Sequence, residues 1–310
     1  MINRRNIRAK VMQQLYSLDK TGEKDLQKAA KDLEKNLQNI YKLYLLLLDL
    51  WVAIRDAEAD LLERRRRKFF KSEEDINPNY KFVNNRVLKQ LADNEVLRSL
   101  VEKYKLDRIW NYEKELVHYF LEKIKQSDYY KRYMASDEDS FDEDKKFIMD
   151  VYKNIIAPDK KLHTFLEDWE INWADDMAVA NTMVMKTLSD MQEKDSKYKK
   201  LPDLYKNEGD EKFGRNLLFK TFQNKDKLSE MIKDKTINWD WERISHVDKL
   251  LMMMALAEFL YFPEIPETAT MNEYVELAKE YSTPKSNSFI NGILDKIYKE
   301  LKQKNQINKI

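Results

Sequence analysis

Seven apolar residues, Leu33, Leu37, Ile40, Tyr44, Leu47, Trp51 and Ile54, follow one another at alternating steps of four and three. This is a heptad seam held for three repeats, the signature of a long helix packed along another. The rest of the chain agrees with that opening. Four glycines and six prolines in 310 residues, with 36% charged side chains, favour long solvated helices and leave little material for turn-rich sheets. The expected fold class is all-α.

Several chemistries are excluded by what the chain lacks. With no cysteine there is no disulfide, zinc-thiolate site, iron–sulfur cluster or thiol nucleophile, which fits a reducing compartment. His118, His163 and His246 stand singly along the sequence, a poor basis for a transition-metal site or a histidine-dependent triad. No metal and no cofactor is expected. Fifty-six basic residues against 55 acidic ones leave a formal charge of +1, so any binding of nucleic acid must use a local patch rather than a global field. The amino terminus has basic residues but no apolar core of a secretory signal, and the oily run Leu43 to Leu48 stops at Asp49, well short of the roughly 18 apolar residues of a membrane span. A cytoplasmic protein with no membrane partner is expected.

Along the chain, Ile7, Val11, Leu15 and Leu18 mark one stripe of a first helix that Gly22 closes. The seam helix runs on into Arg64, Arg65, Arg66, Arg67, Lys68, Phe69 and Phe70, after which Ser72 to Tyr80 reads as a loop. A helical stretch is predicted from about Asn85 to Lys125, then a solvated acidic connection from Asp137 to Asp144, and helices again from Phe147 to about Met191. Pro202 and Gly209 mark another break. An internal echo aligns Phe147 with Phe213, Lys161 with Lys227, Leu162 with Leu228 and Ile171, Asn172 and Trp173 with Ile237, Asn238 and Trp239 at one constant offset; this is either a duplicated helical unit or coincidence in a Leu/Lys-rich chain. Trp173 and Trp239 read as helix-junction anchors, with Asn172 and Asn238 as caps.

The last hundred residues are the most informative. Leu250 to Leu256 is apolar almost all round, as in a central helix, and Pro263 and Pro266 end it. Met252, Met253 and Met254 read as core packing. Thr270 with Glu273 has capping-box spacing for the next helix, and Thr283 with Pro284 opens a last helix containing Phe289 to Ile297. In order and spacing, VDKLLMMMALAEFLY, IPETATMNEYVELAKEYS and SFINGILDKI resemble the NusB family of transcription antitermination factors. The opening helix RRNIRAKVMQQLY and the stretch FGRNLLFKTF are similar to family helices as well. The resemblance implies a NusB-like pair of small helical bundles with a large all-helical insertion after the first helix. On this reading residues 1–22 are the first basic helix, 23–204 the insertion, 205–303 the remainder of the core and 304–310 a polar tail.

What the resemblance further implies is binding of boxA-type single-stranded RNA of ribosomal RNA operons together with NusE, a small-subunit ribosomal protein, within an RNA polymerase antitermination complex. No catalysis is involved. The residues agree: Arg4, Arg5 and Arg8 offer guanidinium groups for phosphates, and Arg5 and Tyr16, eleven positions apart, project within about 20° of each other on a helix, placing an aromatic face beside the charge. The bland alternative is that these cations solvate an amino-terminal helix. The second half of the candidate RNA site is the turn and helix start at Lys285, Ser286, Asn287, Ser288, Phe289 and Asn291, whose hydroxyls, amides and free N–H groups suit phosphate and base edges. Lys285 stands where related sequences often carry an acidic residue. Gly292, inside the same helix, should cost roughly 1 kcal/mol relative to alanine, and close packing against the first helix would explain it. Arg64 to Lys68 with Phe69 and Phe70 is the most tempting run outside the family core, either an RNA extension or a solvated face. An RNA-methyltransferase reading fails for want of a glycine-rich cofactor loop and a cysteine; a scaffold that binds protein through the insertion is the remaining competitor.

Overall fold

The computed structural model describes residues 1–236 and 240–307; the triplet Ile237, Asn238 and Trp239 therefore lies outside the described residues. Among these the chain is all-α, with no strand. The helices are α1 (Arg4–Thr21), α2 (Leu26–Arg66), α3 (Glu73–Ile76), α4 (Arg86–Asp93), α5 (Glu95–Lys103), α6 (Asp107–Tyr112), α7 (Lys114–Gln126), α8 (Asp128–Ala135), α9 (Phe141–Val151), α10 (Lys160–Trp169), α11 (Trp173–Asp190), α12 (Glu208–Gln223), α13 (Lys225–Lys233), α14 (His246–Tyr261), α15 (Glu267–Tyr281) and α16 (Ser286–Gln303). A π-helical turn, Tyr152–Ile156, follows α9 and a 3-10 turn, Trp241–Arg243, precedes α14. The chain forms two compact units, one of residues 2–37 and 205–310, the other of residue 1 with residues 38–204.

In the first unit α14 is the centre. Leu250 through Phe259 are all buried, Glu258 included, because α1, α12, α13, α15 and α16 all pack on it. Met252, Met253 and Met254 are core residues, at most 2% exposed. The start of α2 packs in this unit too. The reason is packing: Gln27 accepts a hydrogen bond from Arg215 at 2.9 Å, Glu34 one from Tyr205 at 2.9 Å, and Leu33 and Leu37 lie against the backbone of Gly214. Gly22 ends α1 with φ at +70°, where a glycine carries no Cβ penalty.

The second unit is built around the remainder of α2. The seam residues are buried as the heptad requires, but Leu43, Leu45, Leu46, Leu48 and Leu50 are buried as well. The helix is therefore enclosed on all sides instead of lying along a single partner. By length and composition α2 could cross a membrane, yet 72% of its apolar window is buried inside the protein. Indole N–H groups tie other segments to its carbonyls: Trp110 to Leu46 at 3.1 Å and Trp173 to Asn39 at 3.0 Å. Trp173 thus anchors the start of α11, while Asn172 makes no cap and instead donates to Glu170.

Three local expectations need correction in this unit. The stretch from Asn85 to Lys125 is four helices, interrupted where Asn94 ends one and caps the next and where Lys105 takes φ of +58°. Ser72 to Tyr80 holds a short capped helix, α3. The acidic connection ends at Ser140, which caps α9, and Asp144 is buried, accepting from Tyr133 at 2.5 Å and from the Arg86 backbone at 2.9 Å. Its charge is internal rather than solvated. In the echoed pairs, Phe147, Phe213, Leu162 and Leu228 are all buried.

Candidate nucleic-acid interface

Helix α1 begins with two cations where the helix dipole disfavours them. The conflict is offset by acids from other helices: Arg4 donates to Asp210 at 2.7 Å and Arg5 makes a two-pronged pair with Glu273 at 2.9 and 3.0 Å. Both arginines remain partly exposed, Arg5 at 40% of its side chain. Asn3 and Asn6 close the helix start with a reciprocal capping box.

Arg8 is placed differently from the expectation. It is 3% exposed and both prongs are taken by Glu258, at 2.7 and 2.9 Å. Thr270 and Tyr274 also donate to that carboxylate, at 3.2 and 2.6 Å. Burial alone would push the guanidinium pKa down, but the hydrogen bonds and charge of Glu258 hold it above its ordinary value. A guanidinium so enclosed has no prong for a phosphate. Its work is to join α1 to α14 and α15. The same pairing corrects Thr270, which sits inside α15 as a buried donor; the helix opens earlier, after Pro266.

Tyr16 lies on the outer side of α1, 37% exposed, with its ring edge-on to His246 at 5.2 Å and Lys20 5.3 Å from its centroid. Because Arg8 meets Glu258 and Tyr16 meets His246, α1 runs antiparallel to α14. Arg5 and Tyr16 consequently share a side but stand about 16 Å apart along the axis. Tyr16 is at the amino-terminal end of α14, where the second half of the candidate site is found.

That half is organised by Asp248, buried in the first turn of α14. Ser282 and Ser286 donate to its two oxygens at 2.6 and 2.8 Å, Thr283 contacts Ser286 at 2.8 Å, and Ser245 caps the Asp248 N–H at 3.0 Å. A carboxylate at a helix start is favoured by the dipole. Here it also fixes the α15–α16 turn, so that α16 begins at Ser286, two residues after the expected Pro284. Ser286, expected at the RNA surface, is 3% exposed in the wall of the adjoining cleft, with its hydroxyl given to Asp248 as an internal clamp.

The clamp borders a cleft of about 770 Å³ lined by Arg243, Ile244, Ser245, Lys285, Ser288 and Phe289, among others. Lys285 and Ser288 are exposed, Asn287 and Phe289 half-buried, and Asn291 exposed on the next turn. Arg243 was not anticipated; its only signal is its place in WDWERISHVDK, just before the central helix. Gly292 faces open space, with nothing within 4 Å of where a Cβ would stand, so close packing against α1 does not explain it. The structure brings Tyr16, Lys285, Asn287, Ser288 and Phe289 to one end of α14 and leaves Arg4 and Arg5 toward the other.

The NusB family model matches residues 178–299. The transcription antitermination protein NusB of Bacillus pumilus is 38% identical over 91 residues, covering 29% of this chain and 70% of that protein. The chain belongs to the NusB family. Proteins of the same name from Salinibacter ruber and Chloroherpeton thalassium are 36% identical over 97 residues and 42% identical over 87, covering 31% and 28% of this chain. The matched stretches are 61% and 41% of those two proteins, less than two thirds of each. Among solved structures, T. maritima NusB shows 28% identity over 39% of this chain and 75% of its own, with a TM-score of 0.29. The NusB match takes in α12 to α15 and most of α16, hence the Asp248 clamp and the cleft, but not α1.

Proposed function

We propose that this protein is a transcription antitermination factor that binds boxA-type single-stranded RNA of ribosomal RNA operons together with NusE, within an RNA polymerase antitermination complex in the cytoplasm. The observation that carries the reading is the cluster at the amino-terminal end of α14. An exposed aromatic ring, Tyr16, stands beside Lys20, and Arg243, Lys285, Ser288 and Phe289 line the adjoining cleft. Single-stranded RNA is held by such combinations: cations and hydroxyls for phosphates, aromatic faces for unstacked bases. The 18-residue helix α16 begins at the same place, with the exposed Lys285 and Ser288 at its start.

In this reading Tyr16, Lys285, Asn287, Ser288, Phe289 and Asn291 meet the RNA, with Lys20 and Arg243 added. Arg4 and Arg5 continue the track along α1, and Arg8 and Ser286 hold the surface from behind. The protein performs no chemistry on the RNA. Its contribution is positional, joining a nucleic acid to a protein partner.

The test is fluorescence anisotropy on a boxA-type RNA and a scrambled control, with and without NusE, at two salt concentrations. Selective binding that tightens with NusE and falls about tenfold or more on combining Tyr16→Ala with Lys285→Glu is the expected result. Equal, weak binding to both RNAs under every condition defeats the proposal.

A further inference from the structure

The end of α2 carries a surface that the antitermination reading leaves unused. Arg64 to Lys68 are all exposed, and Phe69 and Phe70 are 93% and 87% exposed. Part of this has a bland explanation. Cations in the last turn of a helix are favoured by its dipole, Arg66 pairs with Glu63 at 3.2 Å and Lys68 with Asp75 at 3.1 Å. Arg64, Arg65 and Arg67, however, have no carboxylate within ion-pair distance among the described residues. Two bare phenyl rings are not explained by the dipole at all. Their centroids are 5.0 Å apart with planes at 83°, so the edge of one ring rests on one face of the other and the remaining faces are open.

A second element brings more of the same chemistry to this end. Arg65 is close enough for its charge to act on Tyr130 of α8, and α8 continues with the exposed Lys131 and Arg132, the latter 5.5 Å from the Tyr129 ring. The loop between α3 and α4 ties the region together, Asn79 donating to the Met134 carbonyl at 3.4 Å and Lys81 to that of Ser136 at 2.8 Å.

We propose that Arg64, Arg65, Arg67, Phe69 and Phe70, flanked by Arg132, form a second surface for single-stranded RNA, one without sequence preference. Guanidinium groups suit phosphates geometrically and also stack on bases. Phenyl faces accept any unstacked base, since every base has a π-face. An anionic membrane is the other polyanion such a patch could meet, but interfacial attachment scales with buried apolar area, and two rings on a short tip offer little. Stacking needs only one ring per base. The surface lies wholly in the unit of residues 38–204, outside the NusB match, and goes beyond the boxA proposal.

The test titrates the full chain into a labelled oligouridine, a labelled RNA duplex and, separately, a boxA-type RNA, with the wild type and two variants. Arg64→Glu with Arg65→Glu and Arg67→Glu should weaken oligouridine binding about tenfold or more, and should lower the magnitude of the salt slope by about 2, since three phosphates at about 0.7 each are given up. Phe69→Ala with Phe70→Ala should weaken it about tenfold with the salt slope unchanged. The altered side chains are exposed, so circular dichroism melts should match the wild type. The proposal is overturned if both variants bind oligouridine like the wild type, or if duplex binds as tightly as oligouridine. It is also overturned if the Phe variant releases the protein from phosphatidylglycerol vesicles while oligouridine binding is untouched. A failure of boxA selectivity would strike the antitermination reading alone, because oligouridine carries no boxA sequence.

Discussion

Arg8 of the first helix and Glu258 of the central helix form a buried two-pronged ion pair, 3% and 0% exposed, at 2.7 and 2.9 Å. The pair joins residues from opposite ends of the chain. Tyr274 and Thr270 complete the carboxylate's shell, so the charge is both paired and hydrogen-bonded, the condition under which burial is tolerated.

Removing one partner should therefore be severe. Glu258→Gln or Arg8→Met leaves the other charge buried without its counterpart, with an expected loss of about 3–5 kcal/mol. Arg8→Lys should recover little of it, because an ammonium cannot reproduce the two-pronged contact. Denaturant unfolding followed by circular dichroism measures each.

Two glycines inside helices should respond in opposite senses to alanine. At Gly292 a Cβ meets nothing within 4 Å, so Gly292→Ala should stabilise by up to about 1 kcal/mol through helix propensity. At Gly214 the added carbon would stand 2.8 Å from Ile7 Cγ2. Overpacking of that kind costs roughly 1–3 kcal/mol, and Gly214→Ala should lower the melting temperature while Gly292→Ala raises it.

Asp49 introduces a pH dependence. Burial, with Asp107 and Asp56 nearby, pushes its carboxyl pKa from 3.8 up to about 7. A carboxyl raised in the folded state binds its proton more tightly there than when unfolded. Its cost is absent below about pH 3.8, grows as pH rises and is complete above about 7. Asp49→Asn should raise the melting temperature at pH 8, with the gain shrinking toward pH 4.

Asp248 clamps the turn that starts α16 from the buried wall of the cleft. Asp248→Ala strands the hydroxyls of Ser282 and Ser286 and removes an acid from a helix start, at about 1–3 kcal/mol. It should also weaken boxA-type RNA binding, although Asp248 contributes no cation to it. Ser286→Ala, which spares the Ser282 contact, should do less on both counts.

The parts of this fold written in periodicity were legible. The α2 seam, the all-round apolar α14 and the glycine stop of α1 are one-dimensional patterns, and each appears where its residues indicate. What local spacing could not resolve was partnership. Arg8 looked like a surface cation because its acid lies some 250 residues away, and Ser286 looked like a ligand contact because Asp248 is reached only through the α15–α16 turn. The enclosure of α2 had the same cause: a seam reports one apolar line, while Leu45 and Leu48 on other faces find cover only once further helices surround them. Asp144 read as solvated because Tyr133 and Arg86, which neutralise its burial, belong to other helices.

The most direct test of the central claim is photocrosslinking of a boxA-type RNA carrying 4-thiouridine to the full chain with NusE, mapped by mass spectrometry. The account expects adducts at Tyr16, at Lys285 and within residues 287–291, and none at Arg8 or Ser286. Adducts confined to other surfaces, with α1 and the start of α16 unmodified, would contradict it.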